Sequence, residues 1–192
     1  MCSGCSSNKL LLLPKQEQVL LPNLLNLLVV LGYHNELIRK EATVNLINFL
    51  HGELTDSLVA QYLKAEGKET LTEEIKAIQN AVLKGTGIAT KDLGGFMYMI
   101  EDKRLWAYPM WVLIHWSSLR MTEGKLIELL KLVAEVLPCP DCRLHTLDYL
   151  EKKPPTGDLF AWSISFHTAS QKGGRHIDVG ELEFWRTFYK GL

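Results

Sequence analysis

The chain has 192 residues, of which 47% are apolar and 22% are charged. This length and composition suit one folded core, or one core with an added lobe, and argue against a disordered chain. The 21 Lys and Arg residues are balanced by 22 Asp and Glu residues, for a net charge of −1. Because no excess of cationic side chains is available to neutralise phosphates, no nucleic-acid-coating role is predicted.

The most apolar stretch, Val19–Leu31, is interrupted by Pro22, Asn23 and Asn26. It is also shorter than the roughly 20 apolar residues that cross a bilayer as a helix. A secretory leader would need a basic segment ahead of it, and only Lys9 is present. We therefore predict a buried helix here, no membrane span, and a mature chain that begins at its first methionine.

The first half of the chain is predicted to be helical. Residues 1–9 are small and polar and are typical of a mobile arm, and residues 10–95 form a helical N-terminal region. Thr70 with Glu73 fits a capping box that starts one of its helices. Helical spacing also predicts a second helix that includes Leu37, and a single stripe formed by Leu54, Leu58, Val59, Tyr62 and Leu63.

The second half is also predicted to be helical and carries all five tryptophans. Thr122, Asp158 and Asp178 each precede an apolar periodic run and are predicted to cap a helix. Pro140 suits the first position of another helix, where its missing N–H is not needed. No alternating pattern favours strands, so the fold class is predicted to be all-α.

The four cysteines form two CxxC pairs, Cys2/Cys5 and Cys139/Cys142. With Pro140 as the first helical residue, Cys139 falls at the cap and Cys142 in the first turn, where unpaired N–H groups favour a thiolate. This position favours thiol–disulfide exchange. Two alternatives stay open: a zinc site, built from both pairs or completed by His145, and a pair of inert buried cysteines. The polar arm is a poor anchor for structural zinc, so no metal site is predicted.

Histidines and tryptophans recur at helical spacing in the second half. Trp111 and His115 are i, i+4 neighbours, as are Trp162 and Phe166. His145 follows Cys142 by three residues and so shares its helix face. Such residues are most often core, and they also suit the lining of a slot for a planar cofactor.

Several of these motifs follow one another in a fixed order: Trp106-x4-Trp111-x3-His115, Leu137-Pro138-Cys139-Pro140-Asp141-Cys142-Arg143-x-His145, Trp162-x4-His167 followed by Gly-Gly, and Trp185. Over about residues 100–190, this set resembles the Erv/ALR family of FAD-dependent sulfhydryl oxidases, particularly its shorter viral members. The resemblance implies a four-helix bundle plus a short fifth helix in residues 96–192, with FAD held in the mouth of the bundle.

The resemblance also implies roles for individual residues. Cys142 would be the flavin-proximal sulfur and Cys139 the sulfur attacked by an incoming thiolate, with Cys2 and Cys5 as a shuttle pair on the arm. The positions that match or adjoin the family's FAD-binding residues are Trp106, Trp111, His115, His145, His167, Thr168, Gln171, Lys172, Arg175 and Trp185. Thr168 and Gln171 stand where the family typically has two asparagines.

The activity implied is oxidation of protein dithiols, with electrons passed through FAD to molecular oxygen to give hydrogen peroxide, and the family commonly forms homodimers. A cytosolic or virus-associated setting is favoured, and the mitochondrial intermembrane space is a further option. Two alternatives remain: a non-enzymatic structural or interaction protein on the same scaffold, such as a virion component, and a zinc-stabilised helical module.

Overall fold

A computed structural model describes residues 15–37, 39–55, 61–87, 106–171 and 178–191, with side chains from residue 20 onward. Within these ranges lie eight bounded helices and no strand, which confirms the all-α prediction. The helices are α1 Lys15–Asn35, α2 Lys40–Glu53, α3 Leu71–Thr86, α4 Ala107–Ser118, α5 Glu123–Val136, α6 Pro140–Lys152, α7 Leu159–Ala169 and α8 Val179–Gly191.

Helix α1 is the central helix of the N-terminal region and is buried around most of its circumference. Its leucines from Leu20 to Leu31 are almost fully excluded from solvent. A helix that is apolar all round must be covered on several sides, and α1 packs against α2, α3, α4 and α8. The predicted buried helix is confirmed. Among the described residues, no helix is long and apolar enough to cross a membrane.

One continuous core joins the two halves of the chain. The buried cluster contains leucines of α1 together with residues of α4, α5 and α7. A buried hydrogen bond adds a polar link, because Asn35 Nδ2 donates to the carbonyl of Val136 over 2.9 Å. That carbonyl lies in the last turn of α5, where no helical partner is available. The end of α1 therefore helps to fix the end of α5, which leads directly into Cys139.

Local capping signals are largely confirmed. Thr70 and Glu73 form both hydrogen bonds of a capping box at α3. Asp158 accepts the N–H of Ala161 at α7, and Asp178 accepts the N–H of Glu181 at α8. Thr122 occupies the cap position of α5 without a side-chain cap hydrogen bond, so that part of its prediction is wrong.

Two helical predictions in the N-terminal region are wrong in detail. Leu37 lies in the turn before α2 and is 95% exposed, because α2 begins only at residue 40. The stripe from Leu54 to Leu63 does not lie on a single helix, because both of its end residues are non-helical. Leu54 follows the last residue of α2, and Leu63 begins a non-helical stretch. Both leucines are nevertheless buried. Leu58 and Val59 lie outside the described residues.

Candidate redox site

The Cys139/Cys142 pair lies at the N-terminus of α6, as predicted. Cys139 is the cap residue in an extended conformation, and Pro140 is the first helical residue. The two cysteines are joined as a disulfide with their Cα atoms 5.2 Å apart. The N–H of Cys142 donates to Cys139 Sγ over 3.2 Å. Because this N–H has no partner inside the helix, it would stabilise negative charge on Cys139 after reduction.

Cys142 faces a cavity of about 270 Å³. Helix α6 contributes Asp141, Cys142, His145 and Thr146 to the wall, and α4, α5 and α7 with their cap residues contribute a mainly apolar and aromatic lining. That lining is Trp106, Ala107, Met110, Trp111, Ile114, Val133, Leu137, Phe166 and Ser170. We call this the cysteine cavity. Cys139 does not line it, so the two sulfurs have different surroundings.

A second cavity of about 480 Å³ shares Trp111 with the first. Its aromatic wall comes from α4 and α8, and α7 supplies polar groups. The residues are Tyr108, Trp111, His115, Ile164, His167, Thr168, Gln171, Glu181, Phe184, Trp185, Phe188 and Tyr189. We call this the aromatic cavity. The described lining of the two cavities contains no Lys or Arg.

Two histidines that line the aromatic cavity are paired with each other. His115 is 2% exposed, and its Nε2 lies 2.9 Å from Nδ1 of His167. The other nitrogen of His115, Nδ1, lies 2.9 Å from Ser163 Oγ. The Trp111 ring stacks on His167 with centroids 4.0 Å apart and planes 12° from parallel. The helices α4 and α7 are therefore joined by both hydrogen bonds and ring contacts.

The hydrogen bonds indicate which nitrogen of each imidazole carries the proton. Ser163 Oγ donates to the carbonyl of Phe160 over 2.8 Å and therefore accepts from His115 Nδ1. This leaves His115 Nε2 to accept from His167 Nδ1. His167 Nε2 then accepts from Gln171 Nε2 over 3.3 Å. Each neutral imidazole thus donates once and accepts once, with no unpaired nitrogen.

Burial keeps both imidazoles neutral. Removal from water, together with a smaller contribution from the charge of protonated His167, lowers the pKa of His115 from 6.5 to about 3. Burial likewise lowers the pKa of His167 to about 4. Burial also raises the pKa of Tyr189, whose ring contacts His115. At neutral pH the side chains of His115, His167 and Tyr189 therefore carry no formal charge.

The structure brings most of the predicted site residues together, in two groups. Trp106, Trp111, His145 and Cys142 line the cysteine cavity, whereas the aromatic cavity takes Trp111, His115, His167, Thr168, Gln171 and Trp185. Cys2, Cys5, Lys172 and Arg175 lie outside the described residues, so the shuttle and phosphate-binding predictions stay predictions.

Two polar residues of the site, Ser163 and Ser118, were not predicted from the sequence. Ser163 is fully buried and completes the hydrogen bonding of His115. Ser118 is buried 3.2 Å from Ser163, oxygen to oxygen, and donates to the carbonyl of His115. The only available signal was spacing: Ser163 precedes His167 by four residues and so shares its helix face.

The zinc alternative finds no support within the described residues. No group of three or more His, Cys, Asp or Glu side chains there is placed to hold a metal ion. Cys139 and Cys142 are bonded to each other, and metal ligation requires free thiolates. The other predicted half of that site, Cys2 and Cys5, lies outside the described residues.

Comparison of the chain with models of protein families, with curated proteins and with solved structures found no match. The resemblance to the Erv/ALR family therefore rests on the residues themselves. The fold type, the activity and the cofactor that it implies stay predictions.

Proposed function

We propose that the chain is an FAD-dependent thiol oxidase that forms disulfides in protein dithiols. Helices α4 to α7 would be the four-helix bundle of the Erv/ALR type, and α8 its short fifth helix. The observation that carries this proposal is the placement of the cysteine pair: a disulfide caps α6, and one of its sulfurs faces an aromatic-lined cavity. Inert cysteines have no need of such an arrangement.

The exchange steps follow from the different surroundings of the two sulfurs. A substrate thiolate attacks Cys139 Sγ, a substrate–Cys139 disulfide forms, and Cys142 Sγ leaves as a thiolate beside the cysteine cavity. The second substrate thiolate attacks the substrate sulfur of this mixed disulfide and releases Cys139. The substrate has then lost two electrons and two protons, and the chain holds a reduced cysteine pair. The amide groups at the start of α6 stabilise the released thiolates.

The described residues fit the ring systems of FAD. Flat aromatic faces line both cavities, and Trp111 lies between them, so one elongated ligand with a ring at each end would contact both. Trp106, Trp111 and Phe166 would hold the flavin, and Trp185 and Tyr189 the adenine. Bound FAD would accept the electron pair of the reduced cysteines and pass it to molecular oxygen, which leaves as hydrogen peroxide.

The histidine pair would position the cofactor rather than carry protons. His167 is held by His115 on one side and Gln171 on the other, and it supports the Trp111 ring by stacking. Because both imidazoles are neutral at pH 7, they add no charge next to the bound rings. The Cys2/Cys5 pair on the arm would offer a second route: after it has oxidised a substrate dithiol, its own thiolate would attack Cys139.

Purified recombinant protein tests this proposal. We expect a visible flavin spectrum and oxygen uptake with dithiothreitol as the substrate. Cys142→Ser should abolish oxygen uptake while leaving the flavin content unchanged, because Ser cannot form the reducible bond. Ser165→Ala, at an exposed position of α7, serves as the matched control and should keep the full rate. A protein that stays colourless after incubation with FAD, or a Cys142→Ser variant with the original rate, would contradict the proposal.

One observation favours a second candidate, a structural or interaction protein on this scaffold. The described lining of the cavities offers no cation for the FAD phosphates and includes two carboxylates, those of Asp141 and Glu181. The same absorbance spectrum separates the candidates. A folded, colourless protein with no affinity for FAD would favour the structural role.

A further inference from the structure

Helix α6 has a second face, opposite the cysteine cavity, that lines a groove of its own. Pro140, Arg143, Leu144 and Leu147 follow the i, i+3, i+4, i+7 spacing of one helical face and line a separate open groove of about 630 Å³. The α6 residues between them, Asp141, Cys142, His145 and Thr146, line the cysteine cavity. The groove begins at Pro140, directly next to Cys139, the sulfur proposed to receive the substrate.

The floor of this groove is apolar and accessible. Leu144 is 68% exposed and Leu147 is 46% exposed. Alanines of α2 and α5 close the opposite side. Neighbouring exposed leucines on one face mark a surface that gains stability when a partner covers it.

Two arginines give the groove its charge. Arg39, at the start of α2, and Arg143 both line it and are half-buried. Within the described part of the chain, neither guanidinium has an ion-pair partner, and the only acidic side chain in the lining is Glu135. Burial lowers the pKa of Arg143, and the nearby charge of Arg39 lowers it as well. Burial also lowers the pKa of His34, and the charges of both arginines act in the same direction. These cations repel one another, so a bound carboxylate would relieve the repulsion.

We propose that this groove binds the segment of a substrate protein next to its reactive cysteine, and that it selects segments with apolar and acidic side chains. Leucine-like side chains would cover Leu144 and Leu147, and a carboxylate would lie between Arg39 and Arg143. Assigning the partner as a substrate rests on the thiol-oxidase function proposed above. The charge pattern disfavours the chain's own arm as the occupant, because residues 1–14 contain Lys9 and no Asp or Glu.

The test uses two labelled peptides that differ only in charge. Each has a redox-inert Ser-Gly-Gly-Ser centre, flanked on both sides by Leu-Glu in one peptide and by Leu-Lys in the other. We expect the wild-type protein to bind the Leu-Glu peptide more tightly in fluorescence anisotropy at low ionic strength. Arg39→Glu loses one ion pair and adds a repulsion, so it should weaken that binding by roughly three- to tenfold. Lys76→Glu, the same charge change at an exposed position of α3 that does not line the groove, should leave it unchanged.

Oxygen uptake with dithiothreitol separates this proposal from the function on which it rests. Dithiothreitol carries no flanking side chains, so its oxidation does not depend on the groove. If the protein binds the peptides selectively but takes up no oxygen with dithiothreitol, the oxidase proposal is contradicted. The groove would then remain a binding site for acidic peptides. Equal binding of the two peptides, or no effect of Arg39→Glu in a variant that keeps the helical circular dichroism of the wild type, overturns the groove proposal. A dimer that Arg39→Glu dissociates, with no peptide binding, would assign the groove to a second copy of the chain and also overturn it.

Discussion

Acid should destabilise this protein through the buried imidazole of His115, and the size of the effect follows from its burial. In the unfolded chain His115 takes up a proton below about pH 6.5, whereas in the fold its pKa is about 3. Between these values the unfolded state holds more protons, so the free energy of unfolding falls as the pH falls. His167 acts in the same direction, and its partial exposure makes its contribution smaller.

The magnitude for His115 comes from the span between the two pKa values. Each pH unit below 6.5 costs about 1.4 kcal/mol while the folded imidazole stays neutral, so about 2.5 kcal/mol is lost between about pH 7 and pH 4.5. Urea unfolding at the two pH values, followed by circular dichroism, measures this difference. His115→Gln cannot be protonated and should show a pH-dependent loss that is smaller than that of the wild type by this amount.

A second variant separates titration from the loss of hydrogen bonds. Ser163→Ala removes the partner of His115 Nδ1 and should cost about 1–3 kcal/mol at both pH values. Because the imidazole stays buried, this variant should keep the pH dependence of the wild type. If His115→Gln loses as much stability between the two pH values as the wild type does, the reasoning from burial is wrong.

Substitutions at three further residues test the polar links that hold the helices. Asn35→Ala removes the buried donor to the carbonyl of Val136 and should lower the free energy of unfolding by about 1–3 kcal/mol in urea unfolding; a smaller loss than that of an exposed substitution such as Glu128→Ala would contradict this. Glu74→Ala leaves the backbone N–H groups of Glu66 and Lys68 without their acceptor and should cost a similar amount. Asp158→Ala removes the cap of α7 and should lower the free energy of unfolding by about 1–2 kcal/mol. Asp158→Asn keeps the cap and loses mainly the surface ion pair with Arg186, worth up to about 1 kcal/mol. Hydrogen bonding to Arg186 lowers the pKa of Asp158, so this ion-pair contribution is present at neutral pH and is lost as the pH falls through the folded pKa.

The sequence by itself determined the helical class and many of the helix starts. Thr70, Asp158 and Pro140 act on groups within four residues along the chain, so their effects follow from local spacing. For the same reason the sequence placed Cys139 at a cap and Cys142 in the first turn. It failed at Leu37 and at the stripe from Leu54 to Leu63, because apolar spacing identifies residues that become buried without fixing where a helix ends.

Only the tertiary structure decided which groups meet across helices. His115 and His167 are 52 positions apart, and their contact depends on how α4 packs on α7. The same holds for Asn35, which reaches the end of α5 across 101 positions. It also holds for Arg39 and Arg143, which line one groove from different helices. Spacing along one helix gives the face on which a side chain lies. The partner of that side chain depends on how separate helices pack to bury their apolar surfaces. No short stretch of sequence specifies that packing.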